Sequence, residues 1–262
     1  MYKALFTSAS GMKCQQRYID VIANNLANVN TNGFKGSQVN FQDLLYDHQV
    51  LAGTEANEGN TVPNGIEVGS GVKIASTSKL FVQGDLEETK RNLDLCIQGN
   101  GFFRISMSDG TVAYTRDGAF GMDGQRRIVT ADGRPMADNI TLPSGASDVI
   151  VGNDGGVYAV DGSTGEQQSV GTISVALFAN PAGLKSIGDN LFVETVSSGA
   201  PSTVTPGQSG AGSVKQGYLE RSNVEVVTEL IRLIAAQRAY EINTKSISIA
   251  DRMLQQSNNL IH

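Results

Sequence analysis

The chain offers two histidines for acid–base or nucleophilic work, His48 and His262. One lies in a stretch that reads as a loop and the other is the last residue. A Ser-His-Asp or Cys-His arrangement would have to use one of them. The two cysteines, Cys14 and Cys96, have neither a CxxC spacing nor a neighbouring His in sequence, so they are expected to be buried small hydrophobes rather than metal ligands. There is no GxSxG, HExxH, P-loop or GxGxxG following a strand. Six Asp-Gly pairs, at 109–110, 117–118, 123–124, 132–133, 154–155 and 161–162, look like calcium loops at a glance. None has the D-x-D-x-D-G spacing with a Glu six residues later, and Asp and Gly dominate turns for backbone reasons. The 26 acids offer many carboxylate pairs for glycoside hydrolysis, but context marks none of them. No catalytic, cofactor-binding or metal residue is therefore assigned, and no enzyme or small-molecule substrate is expected.

Charge points the same way. Residues 1–36 hold Lys3, Lys13, Arg17 and Lys35 against Asp20, a balance of +3. Residues 37–219 hold 11 bases and 20 acids, a balance of −9, and residues 220–262 hold five of each. An acidic middle argues against a nucleic-acid partner, which needs clustered Lys and Arg. No window approaches 18 apolar residues, so no membrane-spanning helix is expected. After Met1-Tyr2-Lys3-Ala4-Leu5-Phe6 no apolar run of secretory type follows, which on its own suggests the cytoplasm.

The elements that must position any interacting residue are helical at the two ends. Leu5, Met12, Ile19 and Leu26 recur every seven residues, which predicts a helix of coiled-coil period ending near Asn32-Gly33, with Gly33 as a left-handed cap. Val226, Leu233, Tyr240, Ile247, Leu254 and Ile261 repeat the spacing at the other end, in a stretch without Gly or Pro. Ser222-Asn223-Val224-Glu225 reads as a capping box that starts this helix. A helix over 224–260 would run roughly 55 Å at 1.5 Å per residue, too long to bury its stripe alone. Pairing of the two ends is expected, with the stripe beyond one pair meeting other subunits.

The middle reads as β. Short apolar runs at 72–74, 93–97, 102–105, 112–114, 149–151, 157–160, 173–178 and 191–193 are separated by the Asp-Gly turns, the pattern of a sandwich or small barrel. Residues 47–66 and 197–213 look irregular. The expected fold class is α+β and multi-domain: paired N- and C-terminal coiled-coil helices with an inserted mainly-β body. The expected division is 1–35 plus 222–262 helical, 36–70 plus 197–221 extended and connecting, and 71–196 β-rich and outer.

One segment is specific. Ile22–Lys35, IANNLANVNTNGFK, carries five Asn in fourteen residues, a poor helix composition. Its Ala23, Asn24, Asn25, Ala27, Asn28, Thr31, Gly33, Phe34 and Lys35 resemble the signature of the bacterial flagellar rod and hook axial proteins. The blocks Gly99–Ile105, Asp109–Phe120, Gln216–Val226 and Gln237–Gln255 resemble that family too, so the likeness covers essentially the whole chain. Lys13-Cys14 departs from it, standing where an acidic or small pair is expected. The length and the stretch Asp47–Gly65 resemble subunits of the distal part of the rod rather than the hook, whose subunits are usually longer.

The resemblance implies a structural subunit that polymerises helically into a hollow drive shaft, carrying torque from motor to hook across the periplasm. Implied partners are further copies of itself, proximal rod proteins, the hook protein, the outer-membrane and peptidoglycan ring proteins, and the flagellar type III export gate. Export through that gate needs no cleaved signal peptide and places the chain in the basal body. Phe41 and Leu45 resemble the gate-recognition pattern of an aromatic followed four residues later by an aliphatic. The alternatives are a proximal rod or hook subunit, a periplasmic peptidoglycan-acting enzyme, and a coiled-coil adhesin or effector.

Overall fold

The computed structural model describes all residues except 1, 52–54, 58–59, 62, 163–164 and 260–262. Two helices bracket a mainly β chain: α1, Tyr2–Ala27, and α2, Val226–Asn259. The chain divides into two compact units.

The first unit comprises residues 1–26, 37–78 and 225–262. Its helices run antiparallel. Gly11 faces the Asn243 amide and the Thr244 hydroxyl meets Met12 Sδ at 3.3 Å, while Asn25 Nδ2 lies 3.4 Å from Glu229 Oε2. Fourteen residues up α1 thus correspond to fourteen down α2, two heptads in register. At Gly11 a Cβ would come within 3.0 Å of the Asn243 amide nitrogen, so the missing side chain lets the helices close. On its other side α1 covers a ribbon of Ser37–Asp43 paired with Val72–Lys79, and Cys14, Ile22 and Val39 are buried there.

A second ribbon pairs Tyr46–Val50 with Ile66–Gly69, His48 opposite Glu67. Strands thus replace much of the irregular stretch expected over 47–66. Every residue of these strands is exposed or half-buried, and Tyr46–Val50 lacks the polar/apolar alternation from which a strand is read.

The second unit comprises residues 27–36 and 79–224. A six-stranded sheet runs in the order Lys185–Gly188, Leu191–Val193, Val112–Thr115, Phe102–Ser106, Val175–Leu177, Ser202–Val204. A three-stranded sheet is formed by Ala146–Val151, Gly156–Asp161 and Gln167–Thr172. Leu95, Ile97, Phe103, Ile105, Phe120, Ile128, Val157 and Ile173 are among the buried residues of the main core. A smaller cluster of Phe102, Tyr114, Ala176, Leu184 and Phe192 packs edge-to-face with Phe81 and Phe178. The Asp-Gly turns at 109–110 and 154–155 close hairpins with a positive φ at Gly110 and Gly155.

Three expectations are corrected here. The helix α1 stops at Ala27, and 28–36 pack with the β body. The stretch 197–213 is no linker: Ser202–Val204 pairs with Val175–Leu177, and Ser198 is wholly buried. The Ser222–Glu225 capping box does not form. The Glu225 carbonyl takes the first helical bond, from the Glu229 N–H at 3.0 Å, and the Glu225 carboxylate accepts from the Thr228 hydroxyl.

Candidate assembly interface

In the Asn-rich signature several polar side chains make bonds that a backbone would otherwise make. Asn25, buried on α1, donates to the Ser37 carbonyl and accepts from the Ser37 N–H, both at 2.9 Å, as a paired strand would. Beyond the helix end, the Thr31 N–H donates to the Asn28 carbonyl and the Thr31 hydroxyl to the Asn28 side chain, making a closed turn. Gly33 has φ +66°, and a Cβ there would sit 2.5 Å from the Asp117 nitrogen and 2.6 Å from the Arg116 carbonyl carbon. Glycine alone satisfies both constraints. The Phe34 ring lies under the Lys79 ammonium at 5.1 Å, a cation–π contact. Ala23, Asn24 and Ala27 are exposed.

Lys35 ends the signature in the interior. Its ammonium, with no exposed side-chain surface, donates to Glu220 Oε1 at 2.5 Å and to the Val82 carbonyl at 2.7 Å. Glu220 also accepts from Arg116 Nη1 at 3.3 Å and from the Gly84 N–H at 3.0 Å. Arg116 Nη2 donates to the Gly99 carbonyl at 2.8 Å, and the guanidinium lies over the Phe102 ring. Burial pulls the Lys35 ammonium below its ordinary pKa, and the Glu220 carboxylate opposes that; Arg116 is lowered for the same reason. Asn223 fixes the same corner, accepting from the Gly36 N–H and donating to the Leu80 and Val82 carbonyls. Arg116, Glu220 and Asn223 were not singled out from sequence, although each lies inside a block quoted above. The signal available was a charged residue at a strand end, Arg116 just after Val112–Thr115 and Glu220 closing Tyr218–Glu220; Asn223 carried none.

The heptad residues divide. Leu5, Met12, Ile19 and Leu26 of α1 and Leu233, Ile247 and Leu254 of α2 are half-buried, whereas Val226 and Tyr240 are each 40% exposed; Ile261 lies outside the described residues. The second seam of α2 is Glu229, Ala236, Asn243 and Ala250, the first two buried and the last two half-buried. The apolar side chains Val227, Ile231, Ile234, Ile242 and Ile249 are between 51% and 64% exposed. At 3.6 residues per turn this stripe lies roughly 150° round α2 from the seam. The surplus apolar surface is thus a second face of α2, not a stripe running on past its partner. Phe41 packs edge-on against Tyr18 at 5.6 Å, and Leu45 is 87% exposed.

His48 is exposed beside Glu67 at 3.1 Å, and His262 lies outside the described residues. Cys14 and Cys96 are both free and buried, and burial pushes the Cys96 thiol up to about 11. Among the described residues no three His, Cys, Asp or Glu side chains are placed to hold a metal ion.

Three family descriptions match in chain order: flagella basal body rod protein over residues 5–35, the flagellar hook protein FlgE/F/G D1 domain over 96–159, and the flagellar basal body rod FlgEFG protein C-terminal region over 215–260. The chain is 45% identical to the flagellar basal-body rod protein FlgG of Borreliella burgdorferi, covering 99% of each chain. It is 46% identical to that of Caulobacter vibrioides, covering 98% of this chain and 99% of the other, and 40% identical to that of Bacillus subtilis, covering 99% of both. A signature whose polar side chains are built into the fold, helical ends that leave apolar surface uncovered, and full-length likeness agree, and the chain belongs to the flagellar basal-body rod protein family as a structural subunit of the flagellum.

Proposed function

We propose that this chain polymerises helically as the distal rod, a hollow shaft carrying torque from motor to hook across the periplasm. The observation that supports this best is the uncovered stripe Val227, Ile231, Ile234, Ile242 and Ile249. A face of this size on a long helix costs solvation unless neighbouring copies bury it. The half-buried heptad residues hold the helical pair together while the stripe meets the next subunits. Contacts of this kind are heterologous and leave an open helix.

In this reading the chain binds proximal rod proteins at one end of the shaft and hook protein at the other, passes the peptidoglycan and outer-membrane rings, and leaves the cell through the type III gate. Phe41 and Leu45 are the gate-recognition pair: Leu45 is almost fully exposed and free to be read. Electron microscopy of basal bodies from a strain lacking the chain tests the assignment. A short rod stub without outer rings or hook is expected. A complete rod lacking only the hook would make it a hook subunit, and normal basal bodies would contradict a structural role.

A further inference from the structure

The departure Lys13-Cys14 lines a groove of ≈ 630 Å³ within the first unit, between α1 and the Ser37–Asp43/Val72–Lys79 ribbon. Its lining is mostly apolar surface, with Cys14, Val21, Val39, Val72 and Ile74, and includes Ser10, Asn24, Ser37 and Thr77. Its rim carries Lys13, Arg17 and Lys73 against the single acid Asp20. All three cations are exposed, and none has an ion-pair partner among the described residues. An apolar slot with a cationic rim fits a small apolar side chain flanked by a carboxylate.

The β body of the same chain presents such a group. Val196 is fully exposed at the tip of a turn, two residues after Glu194. The turn is rigid. The Thr195 N–H donates to Ser198 Oγ at 2.9 Å, the Ser197 N–H to Thr195 Oγ1 at 3.1 Å, and Thr195 Oγ1 to the Gly183 carbonyl at 2.7 Å. A β-branched side chain on an ordered turn loses little entropy when covered, so it is a preorganised knob. Leu45 is also exposed, but the neighbouring Asp47 is already held by Lys3.

We propose that the groove is a socket for the Glu194–Val196 turn of a second copy of this chain, with the carboxylate meeting Lys13, Arg17 and Lys73 and the valine seated over Cys14. Knob and socket are different patches of one chain, so the contact is heterologous and repeats along a polymer instead of closing a dimer. This rests on the rod-subunit reading and adds to it a surface outside the helical stripe.

Cys14 supplies the test. Basal bodies are purified from cells whose only copy of the chain carries Val196→Cys, and are oxidised mildly. A disulfide between Cys14 and position 196 of different subunits is expected in rods, since bridging needs Cα atoms within about 7 Å. It should be absent from dilute unassembled chains and from a Cys14→Ser control. Intact rods with both thiols free, or a link formed equally in monomers, would overturn the socket while leaving the rod assignment standing. If Val196→Cys gives no rods, charge exchange decides. Lys73→Glu and Glu194→Lys should each lower rod yield at least tenfold, and the two together should restore most of it. No recovery in the double variant would overturn the pairing.

Discussion

At the residue scale the chain concentrates its buried charge where residues 33–36 meet the β body. Lys35 and Arg116 share one carboxylate, Glu220, so the three stand or fall together. Removing a buried partner leaves charge uncompensated at a cost of about 3–5 kcal/mol, whereas apolar replacement of a whole group is often tolerated. Glu220→Ala should therefore lower the unfolding free energy from denaturant titration by that much, while replacing Lys35, Arg116 and Glu220 together by apolar side chains should cost less. Gly33→Ala should cost at least about 1–2 kcal/mol from the left-handed backbone alone, with the clash against Arg116 and Asp117 added.

The Cys96 thiol gives a pH signature. Its folded pKa of about 11 lies above the ordinary value of 9.0, so the folded state holds the proton longer. The resulting stability is complete below pH 9 and is lost as pH rises towards 11, roughly 2–3 kcal/mol in all. Cys96→Ala should flatten unfolding free energy over that window, and a mutant as steep as the wild type would contradict the assignment. The left-handed Gly33 and the buried cysteines were legible, but the charge cluster was not, because the pairing of Lys35 with Glu220 across 185 residues leaves no periodicity.

At the element scale the heptads were legible and their companions were not. Large apolar residues at spacing seven located both helices. The buried or half-buried Glu229, Ala236, Asn243 and Ala250 are residues hydropathy does not flag, and isoleucines that would score as core stay outside. The two faces of α2 predict opposite phenotypes. Leu233→Asp with Leu254→Asp should lower helicity in the isolated chain by circular dichroism, because it breaks the pair with α1. Ile231→Asp with Ile242→Asp should leave helicity unchanged and abolish polymerisation. The ribbon strand over 46–50 is hidden for a related reason: with two wet faces it has no alternation to read, and the alternation at Ile66-Glu67-Val68 is only three residues long.

At the scale of the whole molecule, two units share one chain, and the boundary lies at 26/27 instead of 35/36. The sequence put it later because the helical pattern runs on towards Asn32-Gly33, while the long-range bonds of residues 31–36 belong to the β body. A chain of residues 27–224 should unfold cooperatively in denaturant with its core intact, since both buried apolar clusters lie within residues 79–224. A chain of residues 37–224 should be less stable by several kcal/mol, having lost Lys35 from beside Glu220. Equal stability of the two would show that residues 27–36 merely cross the body's surface.

The most direct measurement is electron microscopy of basal bodies from a strain whose only copy of the chain carries Ile231→Asp with Ile242→Asp, alongside circular dichroism of the purified variant. Unchanged helicity with rods arrested at the same point as in the deletion strain is the predicted result. Rods of normal length carrying hooks would contradict the claim that the outer face of α2 drives assembly.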